Sequence, residues 1–189
     1  MAEYELAYLR NCVPLLENYL LSEEIYWQLG AGPPTGAAPF PSFTLGGVLL
    51  LRAKAAARHL TAAQQDELER LNHLIDACRG HWRVAWSRKA GREHRARLGL
   101  WRMYLEEYFE QPDANIDRYP YEVNRRVQVH LLAAEADRVP RSDAELMASL
   151  DRRLHAVFVP GAFVWEMDLA RGFPTGVYWY LWGHPEKID

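Results

Sequence analysis

Residues 61–86, TAAQQDELERLNHLIDACRGHWRVAW, carry the most regular apolar pattern in the chain. Thr61 and Gln64 have the spacing of a capping box, in which each side chain bonds the other residue's backbone at a helix start. Apolar residues then recur every three or four positions: Leu68, Leu71, Ile75, Cys78, Trp82 and Ala85. Because this spacing places them on one face of an α-helix, the segment predicts a long helix with one buried side.

The apolar pattern stops over residues 87–97, SRKAGREHRAR, and resumes one step out of frame with Leu98, Trp101, Leu105 and Tyr108. Two structures fit this interruption. Either a helical hairpin turns near Gly91, or one long helix carries an exposed polar waist. The change of register, together with Gly80 and Gly91, favours the hairpin.

Helical spacing of apolar residues also occurs in three further segments: residues 6–20, 120–134 and 142–154. The last of these opens with Ser142 and Glu145, which have the spacing of a second capping box. Residues 30–42 are rich in glycine and proline and predict a loop. We therefore expect a mainly all-α, single-domain protein over residues 1–189, with a bundle of about five to seven helices over residues 1–157.

The chain changes character after residue 157 and becomes rich in aromatic side chains. Residues 158–182 contain eight of them: Phe158, Phe163, Trp165, Phe173, Tyr178, Trp179, Tyr180 and Trp182. Alternating apolar and polar residues favour a β-hairpin closing across residues 172–176, and a pair of short irregular helices is the alternative. Residues 158–189 are thus expected to cap the bundle. Four of the aromatics are candidates for an exposed surface or a pocket: Trp165, Tyr178, Trp179 and Trp182.

Composition excludes several classes of protein. The chain of 189 residues is 49% hydrophobic and 25% charged with a net charge of −3, so it is neither disordered nor basic overall. Cys12 and Cys78 form no CxxC motif, which indicates a reducing compartment. The start of the chain is acidic, unlike a signal peptide, and the apolar run of residues 45–51 is too short to span a bilayer. A cytoplasmic location without membrane contact is expected.

Catalytic and metal-binding motifs are missing from the sequence. None of the seven histidines belongs to a Glu-x-x-His or His-Glu-x-x-His motif, and neither a Gly-x-Ser-x-Gly motif nor a phosphate-binding Gly-x-x-x-x-Gly-Lys motif occurs. Glu69 with His73 and Asp151 with His155 have the spacing of ordinary pairs on a helix surface. We therefore expect no catalytic residues, no metal and no cofactor.

The strongest local signal is basic. Residues 79–102 contain eight basic side chains and a single acid, Glu93. Six of the basic residues are candidates for binding an anionic partner: Arg83, Arg88, Lys89, Arg92, Arg95 and Arg97. Such a stretch also fits a solvated helix face that is balanced by acids elsewhere, for example by Glu106, Glu107 and Glu110 downstream.

Three functional hypotheses follow from these features. The leading one is a non-enzymatic protein-interaction or adaptor module, which presents its arginine-rich helical face to an acidic protein partner or to another copy of itself, within a larger assembly. The second is a nucleic-acid-binding accessory protein, in which the arginines contact RNA or DNA phosphates while Trp82 and Trp86 stack on bases. The third is a small-molecule binder or enzyme with a pocket under the aromatic cap.

Overall fold

The computed structural model describes residues 2–186 and confirms a mainly α-helical fold with an aromatic C-terminal hairpin. Met1 and residues 187–189, which the predicted domain and cap include, lie outside the described residues. The helices are α1 (Ala2–Cys12), α2 (Leu16–Leu21), α3 (Leu45–Ala57), α4 (Ala62–His81), α5 (Arg83–Glu110), α6 (Pro112–Asn115), α7 (Tyr119–Glu135) and α8 (Arg141–Ala156). Short 3-10 turns at Val13–Leu15 and Ile116–Arg118 precede α2 and α7. No helix within residues 2–186 is both long and apolar enough to cross a membrane.

Helix α5 lies at the centre of the bundle, and the helix that it contacts most extensively is α7. Its buried apolar side chains include Trp86, Ala90, Leu98, Trp101 and Leu105, whose spacing keeps them on the inner side of the helix. Helix α3 contacts both α1 and α7. Buried hydrophobic side chains from α1 to the C-terminal segment join in one core cluster, so the cap shares its core with the bundle.

The hairpin near Gly91 is wrong, because α5 continues through this residue without interruption. The break occurs instead at Trp82, and the hydrogen bonds Trp82 N–Cys78 O and Trp86 N–Trp82 O link α4 to α5 on either side of it. Residues 87–97 are not an exposed waist either, since Lys89, Ala90, Glu93 and His94 are buried. In this stretch the buried face of α5 is formed largely by polar side chains. The spacing of apolar residues therefore does not reveal that the face is buried.

The two predicted capping boxes have different outcomes. At the start of α4, Gln64 N donates to Thr61 Oγ1 and Thr61 N donates to Gln64 Oε1, so the first box is confirmed. Helix α8 begins at Arg141 after Pro140 and has no side-chain cap, so the second box, at Ser142 and Glu145, is wrong. Proline fixes a backbone conformation that suits a helix start without a side-chain cap.

The C-terminal segment combines the two alternatives that the sequence leaves open. Strands β1 (Phe158–Phe163) and β2 (Trp182–Pro185) form an antiparallel pair, with Val159 opposite His184. Two short 3-10 helices, Met167–Gly172 and Trp179–Leu181, lie in the long connection between the strands. The expected hairpin is therefore present, but it does not close directly across residues 172–176. The second strand starts only at Trp182, after most of the aromatic run.

The C-terminal segment is fastened to the last turn of α3. Arg171 Nε donates to Ala57 O at 2.5 Å, and Arg171 Nη2 donates to Arg58 O, so a cation satisfies carbonyls at a helix C-terminus. The backbone of Gly172 lies so close to α3 that a Cβ built on it would be 2.6 Å from Ala57 Cβ. The absence of a side chain at residue 172 therefore allows the cap to reach α3.

Replacing Gly172 by alanine is expected to destabilise the protein by about 1–3 kcal/mol, the usual cost of adding a methyl group to a filled contact. Gly176 supplies a matched control in the same segment, because a Cβ built there meets nothing within 4 Å. Urea unfolding of Gly172→Ala and Gly176→Ala measures both effects. Equal stabilities of the two variants would show that the contact with Ala57 is not tight.

Candidate functional site

One of the six residues predicted to form the basic face, Lys89, is buried in the structure. Lys89 is 2% exposed, and its Nζ donates to Ser22 O and Glu24 O at 2.7 Å each while lying 4.4 Å from the centroid of the Tyr19 ring. These contacts fix the segment that follows α2 against α5. Lys89 is therefore a structural cation and cannot reach a partner, contrary to its selection from the sequence.

Three more of the six selected residues bind carboxylates of the same chain. Arg92 pairs with Glu23 at 2.5 Å and Arg95 with Asp143 at 3.3 Å, and both arginines stay well exposed. Exposed pairs of this kind contribute about 0.2–1 kcal/mol, so a partner's carboxylates can replace them at little cost. Arg97 is mostly buried and pairs with Glu93 at 3.1 Å, so it does not contribute to the exposed face.

An open groove of about 650 Å³ collects the remaining arginines, and we call it the arginine groove. Arg83 and Arg88 enter it from α5, together with Arg92 and Arg95, and Arg138 enters from the connection between α7 and α8. Its other lining residues are Ile25, Val84, Ser87, Gly91, Asp137 and Pro140. Within residues 2–186, Arg83, Arg88 and Arg138 form no salt bridge. Sequence reasoning missed Arg138, because nothing in its local sequence indicates which helix it faces.

The two tryptophans near the basic stretch do not provide a stacking surface. Trp86 is buried, and its Nε1 donates to Glu135 Oε2 at 2.8 Å. Trp82 is half-buried, with its ring centroid 4.9 Å from that of His81. Neither residue lines the arginine groove. The aromatic contribution that a nucleic-acid site would draw from them is therefore missing at this groove.

The four aromatic candidates of the cap do not share one pocket. Tyr178 packs edge-on against His130, Trp179 packs edge-on against Phe158, and Trp182 Nε1 donates to Phe173 O at 2.8 Å. Trp165 alone of the four lines a cavity of about 590 Å³ between the cap and α3, which we call the cap cavity. Trp165 Nε1 donates to Pro120 O at 3.1 Å, which fixes the plane of the indole ring.

Two cations at the end of α3 line the cap cavity and have different partners: Lys54, in the last turn of the helix, and Arg58, which directly follows it. Arg58 is buried and bonds three carboxylates: Glu5 at 2.8 Å, Asp168 at 2.7 Å, and Glu166. Lys54, one turn earlier, places its Nζ 3.9 Å from the centroid of the Trp165 ring and 3.1 Å from Asn124 Oδ1. No salt bridge to Lys54 is formed within residues 2–186.

Burial lowers the pKa of Lys54 from its ordinary value of 10.5 to about 8. Desolvation of the ammonium is the largest cause, and the charges of Glu5 and Glu166 oppose it while that of Arg58 adds to it. Sequence reasoning missed Lys54, which sits in the alanine-rich end of α3 with no motif around it. Metal binding has no comparable site, since no cluster of three or more His, Cys, Asp or Glu side chains within residues 2–186 is arranged to hold an ion.

The charge of Lys54 should make folding depend on pH in a defined window. Because its folded pKa is below its unfolded pKa, protonated Lys54 opposes folding below pH 8, and this effect disappears as pH rises to 10.5. The free energy of unfolding of the wild type, minus that of Lys54→Met, should therefore rise by about 3 kcal/mol across this window. Urea unfolding of both proteins at several pH values measures it. A constant difference would contradict a desolvated Lys54 ammonium.

Comparisons with protein-family models, with curated proteins and with solved structures find no match to this chain. Function must therefore be argued from the geometry of its surfaces. Two features stand out: the arginine groove on α5, and the cavities around Lys54.

Proposed function

We propose that this chain is a non-enzymatic interaction module, which binds an acidic segment of a partner protein in the arginine groove. The observation that supports this most directly is the convergence, from two separate elements, of three arginines that form no salt bridge within residues 2–186: Arg83, Arg88 and Arg138. A guanidinium presents a planar fork of N–H donors that matches a carboxylate. The module would act as an adaptor or as a subunit of a larger assembly.

The walls of the groove indicate what the acidic segment carries besides charge. Val84 is 72% exposed between the arginines, and Ile25 and Pro140 also line the groove. Burying the exposed side chain of Val84 against an apolar side chain of a partner would stabilise the complex, because apolar surface is removed from water. We therefore expect a segment in which carboxylates alternate with leucine-like residues, so that the former pair with the arginines and the latter cover Val84.

A protein segment fits the groove better than a nucleic acid does. A phosphate backbone is usually bound along an extended basic track with aromatic rings on which bases stack, and Trp86 is buried instead. Asp137 lines the groove and Asp143 already holds Arg95, so acids interrupt the basic surface. We also propose a cytoplasmic location, which the free thiols of Cys12 and Cys78 support, because a reducing compartment keeps cysteines unpaired.

The test uses a fluorescein-labelled peptide of alternating glutamate and leucine, and fluorescence anisotropy reports its binding. The double variant Arg83→Gln/Arg88→Gln should weaken binding at least about tenfold, because it removes two charge-assisted hydrogen-bond donors from the groove. Arg70→Gln/Arg152→Gln removes the same charge from exposed positions outside the groove and should change binding little. Binding of the wild type should also weaken as salt is raised.

Two further probes decide between partners. A peptide of alternating glutamate and serine should bind more weakly than the leucine peptide, and Val84→Ser should abolish that difference. A labelled single-stranded oligonucleotide of equal charge should bind less tightly than the leucine peptide. Tighter binding of the oligonucleotide, or equal losses in the groove variant and its control, would overturn the proposal.

A further inference from the structure

We infer that a second site, separate from the arginine groove, binds a small organic anion that carries a flat apolar body. The site is a cavity of about 560 Å³ between the proline-rich loop at residues 38–42, helix α3 and helix α7, and we call it the loop cavity. This volume lies within the range of roughly 300–1,000 Å³ that is usual for small-molecule sites. Lys54 lines both the loop cavity and the cap cavity.

The charges of the loop cavity all have one sign. Lys54, Arg97 and Arg125 line it, and among residues 2–186 no aspartate or glutamate does. The cap cavity differs, because Glu5 and Glu166 line it beside Lys54 and Arg58. A concave surface that gathers cations without acids attracts an anion and concentrates the field toward it. The loop cavity therefore selects a negatively charged ligand.

Lys54 is the cation with unused binding capacity. Its ammonium group has three N–H donors, and Asn124 Oδ1 is the one acceptor that it bonds within residues 2–186. A desolvated ammonium that forms no salt bridge is costly, and an anion supplied by a ligand reduces that cost. Burial of the ammonium is the main reason that the pKa of Lys54 is lowered, and the charges of Glu5 and Glu166 offset this effect only in part.

The two arginines are held in place by carboxylates that lie outside the cavity lining. Arg97 Nε donates to Glu93 and Arg97 Nη2 donates to Thr44 Oγ1, each at 3.1 Å. Arg125 pairs with Glu122 on its own helix, α7. Each pair leaves further N–H groups of a guanidinium without a partner. A site whose donors are already oriented loses little entropy when a ligand binds.

The apolar body of the ligand is inferred from the aromatic rings around the cavity. Tyr4 and Phe40 pack against each other with ring centroids 5.2 Å apart, and Tyr26 lies under the Arg97 guanidinium at 5.3 Å. Tyr121 adds a further ring, 72% exposed, at the edge of the cavity. Rings arranged around a cationic cavity favour a planar anion such as an aromatic carboxylate or sulfonate.

Anilinonaphthalene sulfonate is a suitable probe, because it is a flat organic anion whose fluorescence rises when it enters an apolar site. Lys54→Met should weaken its binding at least about tenfold, since a charge-assisted hydrogen bond to the sulfonate is lost. Arg52→Met is the matched control on the same helix: Arg52 pairs with Asp76 and does not line the loop cavity. Circular dichroism establishes that both variants are folded.

Three further measurements distinguish this site from a general apolar surface. The uncharged analogue phenylnaphthylamine should bind wild type and Lys54→Met equally. Arg83→Gln/Arg88→Gln should leave the binding of the sulfonate unchanged, because the arginine groove is a separate site. Affinity of the wild type for the sulfonate should fall as pH rises through about 8, while that of Lys54→Met stays constant.

Charged, polar and aromatic groups from several parts of the fold surround Lys54. Glu5 faces it from α1, Arg58 from α3, Asn124 from α7, and Trp165 and Glu166 from the C-terminal segment. Equal binding of the sulfonate to wild type and Lys54→Met at neutral pH would overturn the inference. So would a loss of affinity in the arginine-groove variant as large as that in Lys54→Met.

Discussion

The carboxylate of Glu93 is fully buried in the centre of the protein, and the arrangement of α3 and α5 depends on its partners. One oxygen accepts Gly46 N at 2.9 Å, and the other accepts Arg97 Nε at 3.1 Å. A buried carboxylate is tolerated only when it is hydrogen-bonded or paired, and here it also meets the positive end of the α3 dipole. Gly46 permits this approach, because a Cβ at that residue would lie 2.7 Å from Glu93 Oε1. The interaction fixes where α3 starts relative to α5, and with it the position of Lys54 along the cavity wall.

Helix α5 separates its charged residues into two classes by their angular position. Successive residues are turned by about 100°, so Lys89 and Glu93 lie together on one side while Arg88, Arg92 and Arg95 lie on another. The first side is buried against the segment after α2 and against α3, where backbone groups satisfy the charges. The second side faces the arginine groove. One stretch of sequence therefore supplies both a buried polar seam, which holds the fold together, and an exposed basic surface, which lines the arginine groove.

The fold class could be predicted from the sequence because it depends on local spacing. Leu68, Leu71 and Ile75 are buried as their periodicity indicates, and Thr61 caps α4 as predicted. The continuity of α5 could not be predicted, since Lys89 and Glu93 become buried only through partners more than forty residues away in sequence. The candidate sites could not be fully predicted for the same reason, because they depend on contacts between residues far apart in sequence. Arg138 reaches the arginine groove and Lys54 reaches both cavities through tertiary packing, which leaves no trace in their neighbouring residues.

Lys54 and Arg58 are neighbouring cations with different partners, and this difference supports the anion site that we propose at Lys54. Lys54 lies in the last turn of α3 and Arg58 directly follows that helix, and two like charges this close in sequence are unfavourable unless anions compensate them. Arg58 receives three carboxylates, from α1 and from the C-terminal segment, and so ties the cap to the bundle. Lys54 receives an amide oxygen and the face of an indole ring. Lys54 forms no salt bridge within residues 2–186, so no direct ion pair offsets the cost of burying its charge. The loop cavity beside Lys54 has no acid among its lining residues within residues 2–186, and an anion bound there is the partner that we propose for this charge.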